Sequence, residues 1–434
     1  MRSALESVSL EPADVAQPRP WQRNLFALTG ASFLMFTAFG FVFPFLPLFI
    51  SELGVGDMRQ VEIWSGISSF GQALVLSIFS PIWGAVADRH GRRLMVLRAA
   101  FGGGIVIGLM GLSQNIWEFM TLRLIQGAMT GVVAAASALA ISFVPRARMG
   151  FALGLIQMAS FAGNAVGPLL GGFSADHFGY RYSFAVSGAL FLSAGVLTIL
   201  FVTEHFEPPA VEPKRSGLGG MLRDIRDEGR DRQLLIMMLV LFSATFGVNV
   251  VQPMLPLFVQ NLDPTVSVAT VTGVIFTVAG VVAAISSVVW GRTGDRVGFR
   301  RLLIAMALGA GLIYVPQAFV TTVVQLIVLR GILGIFDGGL LPSANALIAS
   351  SRPSKPGGGA QTSLGTTYGL INLANGMGFA LGPLAGGLIA ATLGLRNVFL
   401  VTAVILLAIA AFLPFGIKDR KPLPEGDFKG ASPL

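Results

Sequence analysis

The chain has 434 residues, of which 53% are hydrophobic and 12% are charged, and its mean hydropathy is +0.74. A soluble domain carries about twice that share of charged residues, so the composition excludes an ordinary soluble protein. The net charge of +8 does not indicate nucleic-acid binding, because the basic residues are spread over short loops, and the lack of cysteine excludes disulfide and thiolate chemistry.

The chain begins with a polar segment, residues 1–20, that mixes acids and prolines and predicts a disordered cytoplasmic tail. Long uncharged runs follow, and a hydrocarbon core of about 30 Å needs roughly 20 helical residues. The many glycines show no polar alternation at period two, so helices fit better than a barrel. We predict twelve transmembrane helices, near residues 24–50, 62–87, 95–113, 117–143, 150–175, 180–202, 233–260, 266–291, 302–319, 323–350, 362–391 and 396–416.

These spans form two groups of six, so the sequence predicts an all-α integral membrane protein with two pseudo-symmetric six-helix bundles. The bundles cover residues 21–202 and 233–417, and residues 418–434 form a second cytoplasmic tail. The connection over 203–232 contains Leu218, Met221, Leu222 and Ile225 at helical spacing, which predicts an amphipathic surface helix. This helix is either a plain linker or a regulatory element.

A charged, glycine-containing loop follows span 2 and recurs after span 8. Residues 84–93 read GAVADRHGRR and residues 291–301 read GRTGDRVGFRR, at an offset of 207 residues. One such loop is explained by a capped turn that fixes topology. Two copies at equivalent places favour a latch that holds a gate, with Asp88 capping a helix end or pairing with Arg92 and Arg93. The candidate gating residues are Asp88, Arg89, Gly91, Arg92, Asp295 and Arg296.

Other segments repeat as well, and six spans per half give both halves the same orientation, as in transporters with parallel repeats. A run of small residues in span 5, Gly163–Gly172, matches one in span 11, Gly378–Gly387. Small residues let helix backbones approach, and the proline in each run frees a carbonyl. We expect symmetric helix packing through Gly163, Gly167, Pro168, Gly171, Gly172, Gly382 and Pro383.

Three ionisable residues lie deep within predicted spans: Arg123, Arg330 and Asp337. An unpaired arginine costs about 2.5–3.5 kcal/mol or more in a bilayer, so the two arginines either snorkel outward or are buried for function. Asp337 follows Arg330 by seven residues and shares its helix face. Its equivalent in the first half is Thr130. Asp337 is either a structural hydrogen-bond partner or a proton-loading acid, and we group all three as proton-coupling candidates.

Uncharged polar and aromatic residues within spans either line a substrate cavity or bridge helices. They are Phe36, Phe39, Gln157, Asn164, Asn249, Gln252, Asn345, Tyr368, Asn372 and Asn375. The sequence contains no phosphate-binding loop, no metal-binding His-Glu-x-x-His motif and no nucleophile elbow, so we expect neither an enzyme nor a cofactor or metal site. A proton gradient is the expected source of energy.

These motifs resemble those of the major facilitator superfamily over nearly the whole chain. The loop after span 2 is similar to that family's signature, and Arg123 with Gly127 is similar to its helix-four motif associated with proton transfer. The Gly163–Gly172 run resembles the helix-five motif of its antiporters. Together they imply the twelve-helix drug:proton antiporter branch. The stretch from Trp64 to Arg123 and the segment Asp337–Pro342 resemble the MdtG-type multidrug exporters.

The resemblance implies a secondary active transporter that exports amphipathic drug-like molecules in exchange for protons. It also implies a monomer in contact with membrane lipid, in a bacterial inner membrane, with both termini cytoplasmic. The alternatives are a carrier of one metabolite, sugar or lipid on the same fold, and a sensor or assembly subunit without transport. One departure affects coupling, because several drug antiporters carry an acid in helix one and span 1 has none. Coupling then uses Asp337, Asp88, Glu52 or Glu118.

Overall fold

The structure, a computed structural model, describes residues 20–145, 148–204, 206, 232–350 and 360–416. Within these ranges all regular structure is helical, and eleven helices are long and apolar enough to cross a membrane. The two predicted tails lie outside the described residues, apart from Pro20. The predicted amphipathic helix of the linker also lies outside them.

The first bundle contains six spans, and three of them are interrupted by a change of helix type or by a break. Its elements are Pro20–Val42, Phe43–Phe45 and Leu46–Glu52 (span 1), Met58–His90 (span 2), Arg92–Leu97, Arg98–Gly102 and Gly103–Met110 (span 3), Ile116–Met129 and Val132–Phe143 (span 4), Met149–Phe178 (span 5) and Tyr180–Phe201 (span 6).

The second bundle repeats this order with longer uninterrupted helices. Its elements are Arg232–Val251, Gln252–Met254 and Leu255–Leu262 (span 7), Val268–Val297 (span 8), Phe299–Gln317 (span 9), Val323–Ser350 (span 10), Ala360–Leu393 (span 11) and Leu395–Gly416 (span 12). The predicted division between spans 9 and 10 is confirmed, since one helix ends at Gln317 and the next begins at Val323.

Span 4 is broken in the middle, which explains why eleven long helices are found where twelve spans were predicted. Thr130 is extended, with ψ −176°, and Gly131 follows in the left-handed region with φ +124°. The two pieces have 14 and 12 residues, and each is shorter than the roughly 20 residues that cross a bilayer. Together they cross the membrane once as span 4, which brings the number of spans to twelve.

The break leaves backbone carbonyls without helical partners, and side chains of neighbouring spans bind two of them. Trp83 donates through Nε1 to the carbonyl of Ala128 at 2.7 Å, and Arg98 donates through Nη2 to that of Thr130 at 3.0 Å. The Arg98 guanidinium also lies 4.2 Å from the centre of the Trp83 ring. These contacts stabilise an irregular backbone that lipid could not solvate.

Glycines bring spans 1 and 5 together in the first bundle and spans 7 and 11 in the second. A Cβ atom at Gly163 would lie 2.8 Å from the carbonyl oxygen of Phe33, and one at Gly378 would lie 2.7 Å from that of Phe242. Both distances are too short for a side chain, so backbones touch at these points. The same close approach recurs along both pairs, at Gly167, Gly171, Gly382 and Gly386.

The two bundles meet along two equivalent seams, one between spans 5 and 8 and the other between spans 2 and 11. In the first seam Gly172 packs against the backbone of Ala269. In the second, a Cβ atom at Gly66 would lie 2.8 Å from the carbonyl oxygen of Pro383. We call the end of the molecule where the seams close the packed end. The opposite end, with Gly91 and Gly298, is the basic end.

Charged side chains fasten both seams at the packed end. The Asp176 carboxylate accepts the backbone N–H groups of Ala269 at 3.3 Å and Thr270 at 2.6 Å, and so caps the first turn of span 8. Arg59 donates through Nε to the carbonyl of Ala391, near the end of span 11, at 2.7 Å. Each contact joins one bundle to the other, so both must break if the packed end opens.

Candidate functional site

The loop after span 2 is organised by a carboxylate that sequence reasoning missed. Gly91 ends the span with φ +94°, a conformation that favours glycine. The Glu204 carboxylate, just beyond span 6, accepts the backbone N–H of Arg92 at 2.9 Å and that of Arg93 at 2.7 Å. Two N–H groups that begin the next helix are thereby satisfied, in the manner of an N-cap.

The arginine side chains of this loop bind carbonyls of neighbouring spans. Arg92 donates through Nη1 to the carbonyl of Ala138 at 3.0 Å, and Arg93 donates through Nη2 to that of Ile199 at 2.7 Å. The predicted pairing of Asp88 with Arg92 and Arg93 involves the side chain of Asp88, which lies outside the described residues. Arg89, the next candidate, is exposed.

The second copy of the loop keeps part of this arrangement. Gly298 has φ +94°, as Gly91 has, and Arg300 donates to the carbonyl of Pro414 as Arg93 does to that of Ile199. Asp295 and Arg296 are exposed, and within the described ranges neither side chain makes a hydrogen bond. The two loops therefore share a turn but differ in how firmly they are tied to their bundles.

We expect Glu204→Ala to lower the stability of the first bundle and slow transport. An uncapped helix start costs about 0.5–2 kcal/mol, which a thermal unfolding curve in detergent resolves. Glu204→Gln keeps one acceptor oxygen and should lose less. Equal melting temperatures for wild type and Glu204→Ala would show that the cap contributes nothing.

Arg123 lies inside the first bundle, 2% exposed, and does not snorkel toward the membrane surface. Its Nε donates to Ser68 Oγ at 3.1 Å and its Nη1 to Gln126 Oε1 at 2.5 Å, while Nη2 makes no hydrogen bond among the described residues. The guanidinium lies 6.0 Å from the centre of the Phe43 ring. A cavity of about 10 Å³ beside it, room for about one water molecule, is also lined by Phe39.

Arg330 occupies the equivalent place in the second bundle and is 6% exposed. Its guanidinium carbon lies 5.7 Å from the ring centres of both Tyr314 and Phe399, within cation–π range. Asp337, two turns further along span 10, is half-buried, and its Oδ1 is buried without a hydrogen-bond partner among the described residues. The structure thus places the carboxyl group of Asp337 and the guanidinium of Arg330 on one face of span 10, beside the buried Tyr314.

The first bundle has no acid at the equivalent of Asp337. Its equivalent is Thr130, where span 4 breaks, whereas span 10 continues as a helix through Asp337. In both bundles a tryptophan donates to a backbone carbonyl nearby, since Trp290 donates to Ile335 at 2.7 Å as Trp83 does to Ala128. The acid therefore belongs to one half alone.

The polar and aromatic candidates whose side chains are described differ in their burial and in their hydrogen bonds. Asn249 is buried and donates to the carbonyl of Thr245 in its own helix, which is a packing role. Gln157 and Asn164 are exposed on span 5, and Asn164 donates to the carbonyl of Ser160.

The remaining candidates lie in several spans. Phe36 and Phe39 are half-buried on span 1, and Gln252 is half-buried at the start of the short turn in span 7. Asn375 accepts a hydrogen bond from Thr245 at 2.5 Å. The side chains of Asn345, Tyr368 and Asn372 lie outside the described residues.

The sequence matches the family model of the Major Facilitator Superfamily over residues 28–272 and 237–432. The multidrug resistance protein MdtG of Yersinia enterocolitica is 37% identical over 408 residues, which are 93% of this chain and 95% of that protein. MdtG of Escherichia coli strain 55989 is 36% identical over 417 residues, 95% of this chain and 98% of that protein. The resemblance inferred from the motifs is confirmed.

Solved structures share the fold at low sequence identity. A bacterial homologue of the human lysosomal transporter Spinster, in an inward-facing and unoccupied conformation, superposes with a TM-score of 0.73 at 15% identity, covering 92% of this chain and 98% of that one. The nucleoside transporter NupG gives 0.72 at 14% identity, covering 91% and 99%. The predicted all-α membrane fold is confirmed. The chain is a membrane transporter and belongs to the major facilitator superfamily.

Proposed function

We propose that the protein exports amphipathic, drug-like compounds across a bacterial inner membrane in exchange for protons, by alternating access. The observation that carries the proposal is Asp337, a half-buried acid in the middle of span 10 with one carboxylate oxygen unpartnered among the described residues. An acid at that depth is costly unless it has a function, and one that exchanges a proton suits coupling. The relatives named multidrug resistance protein support the cargo class.

The basic loops support a cytoplasmic location for the basic end and for both termini, by the positive-inside rule. The packed end then faces outward, and the described conformation is closed to the outside. Alternating access requires the two bundles to rock so that the seams open and the basic end closes. The Asp88 and Arg92 loop would hold the basic end in that second state.

Arg123, Arg330 and Asp337 would handle protons or substrate charge, and the polar and aromatic residues on spans 1, 5, 7 and 11 would face the cargo. Large apolar side chains on the outer surface, such as Leu200 and Ile285 at 66% exposure each, suit contact with lipid. We propose that a single chain is the working unit.

Reconstitution in liposomes tests this function. A pH gradient is imposed, and cationic, neutral and anionic compounds are screened for substrate-linked proton release. We expect proton flux with several structurally unrelated amphipathic compounds. Saturable transport of one polar compound would favour a dedicated metabolite, sugar or lipid carrier, and the lack of any linked proton flux would overturn antiport.

Asp88→Ala should impair transport more than Asp295→Ala. The first loop is tied to span 4 by Arg92 and to Glu204, whereas Asp295 and Arg296 are exposed. Initial rates of transport in liposomes, normalised to the amount of protein, measure both variants. Equal losses would mean that the two loops share the gate evenly.

A further inference from the structure

A carboxylic acid is buried in the seam between spans 2 and 11. Glu62 lies near the start of span 2, and its side chain is 4% exposed. Its backbone carbonyl lies against Gly387 of span 11, one helical turn from the contact of Gly66 with Pro383. Arg59, Glu62 and Gly66 are spaced by three and four residues, so they share the helix face that meets span 11.

The Glu62 carboxylate has no ion-pair or hydrogen-bond partner among the described residues. Arg59, three residues before it, donates its Nε to the carbonyl of Ala391. The seam-forming part of span 11, Leu373–Leu393, carries no ionisable side chain. The charged residues on span 2 and on the elements packed against it here are Glu52, Asp57, Arg59, Glu118 and Arg123.

The other seam has no such acid, because the residue equivalent to Glu62 is Ala269, which packs against Gly172. An ionised carboxylate is expensive to bury, so closing the seam over Glu62 favours the protonated form of its carboxyl group. When the seam opens, the same carboxyl group meets water and can ionise. Closure of this seam is therefore linked to protonation of Glu62.

We propose that Glu62 is a proton-binding site of the outer gate, loaded from external water before the seam between spans 2 and 11 closes. Loading transfers one proton from hydronium to a carboxylate oxygen, and opening of the seam returns it to the same side. This proton is not carried across the membrane, and it sets how readily the packed end closes. This inference takes one statement from the proposed function, namely that the packed end faces the outside of the cell.

One proton taken up on closure changes the ratio of closed to open molecules by at most about tenfold per pH unit, and acid favours the closed form. The chain has no cysteine, so Leu112→Cys and Leu393→Cys can carry a spin-label pair without background. Both positions lie at the packed end, on different bundles, and are 70% and 61% exposed. Electron–electron distances would be measured from pH 5 to 8 without cargo or gradient.

We expect the short distance to gain population as the pH falls. Glu62→Gln should hold the short distance at every pH, whereas Asp263→Asn, at an acid of the same end that binds Thr265 in its own loop, should respond as the unmodified pair does. Glu62→Asp keeps a carboxyl group and should restore the response if Glu62→Gln is poorly folded. A Glu62→Gln protein that still responds to pH like the unmodified pair would overturn the proposal.

Asp337→Asn separates this inference from the proposed function. That variant should keep the pH response of the packed end, because Glu62 is intact, even though coupling is lost. Loss of the response in Asp337→Asn would move the proton-binding group to span 10 and overturn the inference. A protein that exports no drug-like compound would still give a decisive result, since the distance measurement needs no cargo.

Discussion

Asp337→Asn should abolish accumulation of cargo against its gradient. With one proton exchanged per cargo molecule, a pH difference of one unit corresponds to about 1.36 kcal/mol and supports roughly tenfold accumulation. An amide cannot take up and release that proton, so the ratio of cargo across the membrane should fall to one. Passive exchange of cargo should persist, because Asn preserves the size of the side chain.

The measurement compares pH-driven uptake with exchange of labelled cargo in the same liposomes. Asp263→Asn is the matched control, since Asp263 is an acid of the same bundle that binds Thr265 in its own loop. It should accumulate cargo like the wild type. Undiminished accumulation in Asp337→Asn would exclude Asp337 as the coupling acid and direct attention to Asp88, Glu52 or Glu118.

Gly172→Leu should slow transport severely while leaving each bundle folded. Gly172 faces the backbone of Ala269 and Thr270 across the seam between spans 5 and 8, where a side chain has no room. Overpacking costs about 1–3 kcal/mol, and each 1.4 kcal/mol is a factor of ten, so the closed form would become up to about a hundredfold rarer. The open form carries none of this strain, so thermal stability should change little.

The neighbouring residue provides the control. Gly171 packs against Phe41 of span 1, inside the first bundle. Gly171→Leu should therefore lower the melting temperature and the yield of folded protein, which Gly172→Leu should not. If both variants unfolded alike, the seam could not be separated from the core of the bundle. If Gly172→Leu transported normally, the seam between spans 5 and 8 would not need to close.

Most of the fold could be predicted from hydropathy, because a span must be apolar over about 20 residues and its ends carry charge. The break in span 4 could not. Its sequence is uniformly apolar around Thr130 and Gly131, and one glycine does not distinguish a tolerated residue from a left-handed turn. The break depends on tertiary contacts, since Trp83 and Arg98 from other spans bind the freed carbonyls.

The candidate site was predictable where charge lies inside an apolar run, as at Arg123 and Asp337. The partners of these charged groups could not be predicted, because Glu204 and Tyr314 are distant in sequence from the groups that they approach. Gln126 carried a usable signal, since it follows Arg123 by three residues and so shares its helix face. Glu62 was overlooked because, by sequence alone, it resembles an ordinary charge at the start of a span.

The equivalence of the two seams bears on how such a chain could arise. Each bundle presents one partner for each seam, spans 2 and 5 on the first bundle and spans 8 and 11 on the second. A single six-span ancestor with both surfaces could pair with a copy of itself about an axis along the membrane normal and close two identical seams. Gene fusion would then free each copy to diverge. Three features occur in only one half: Asp337, Glu62 and the broken span 4. Two identical subunits would have shared them, so these features arose after the fusion.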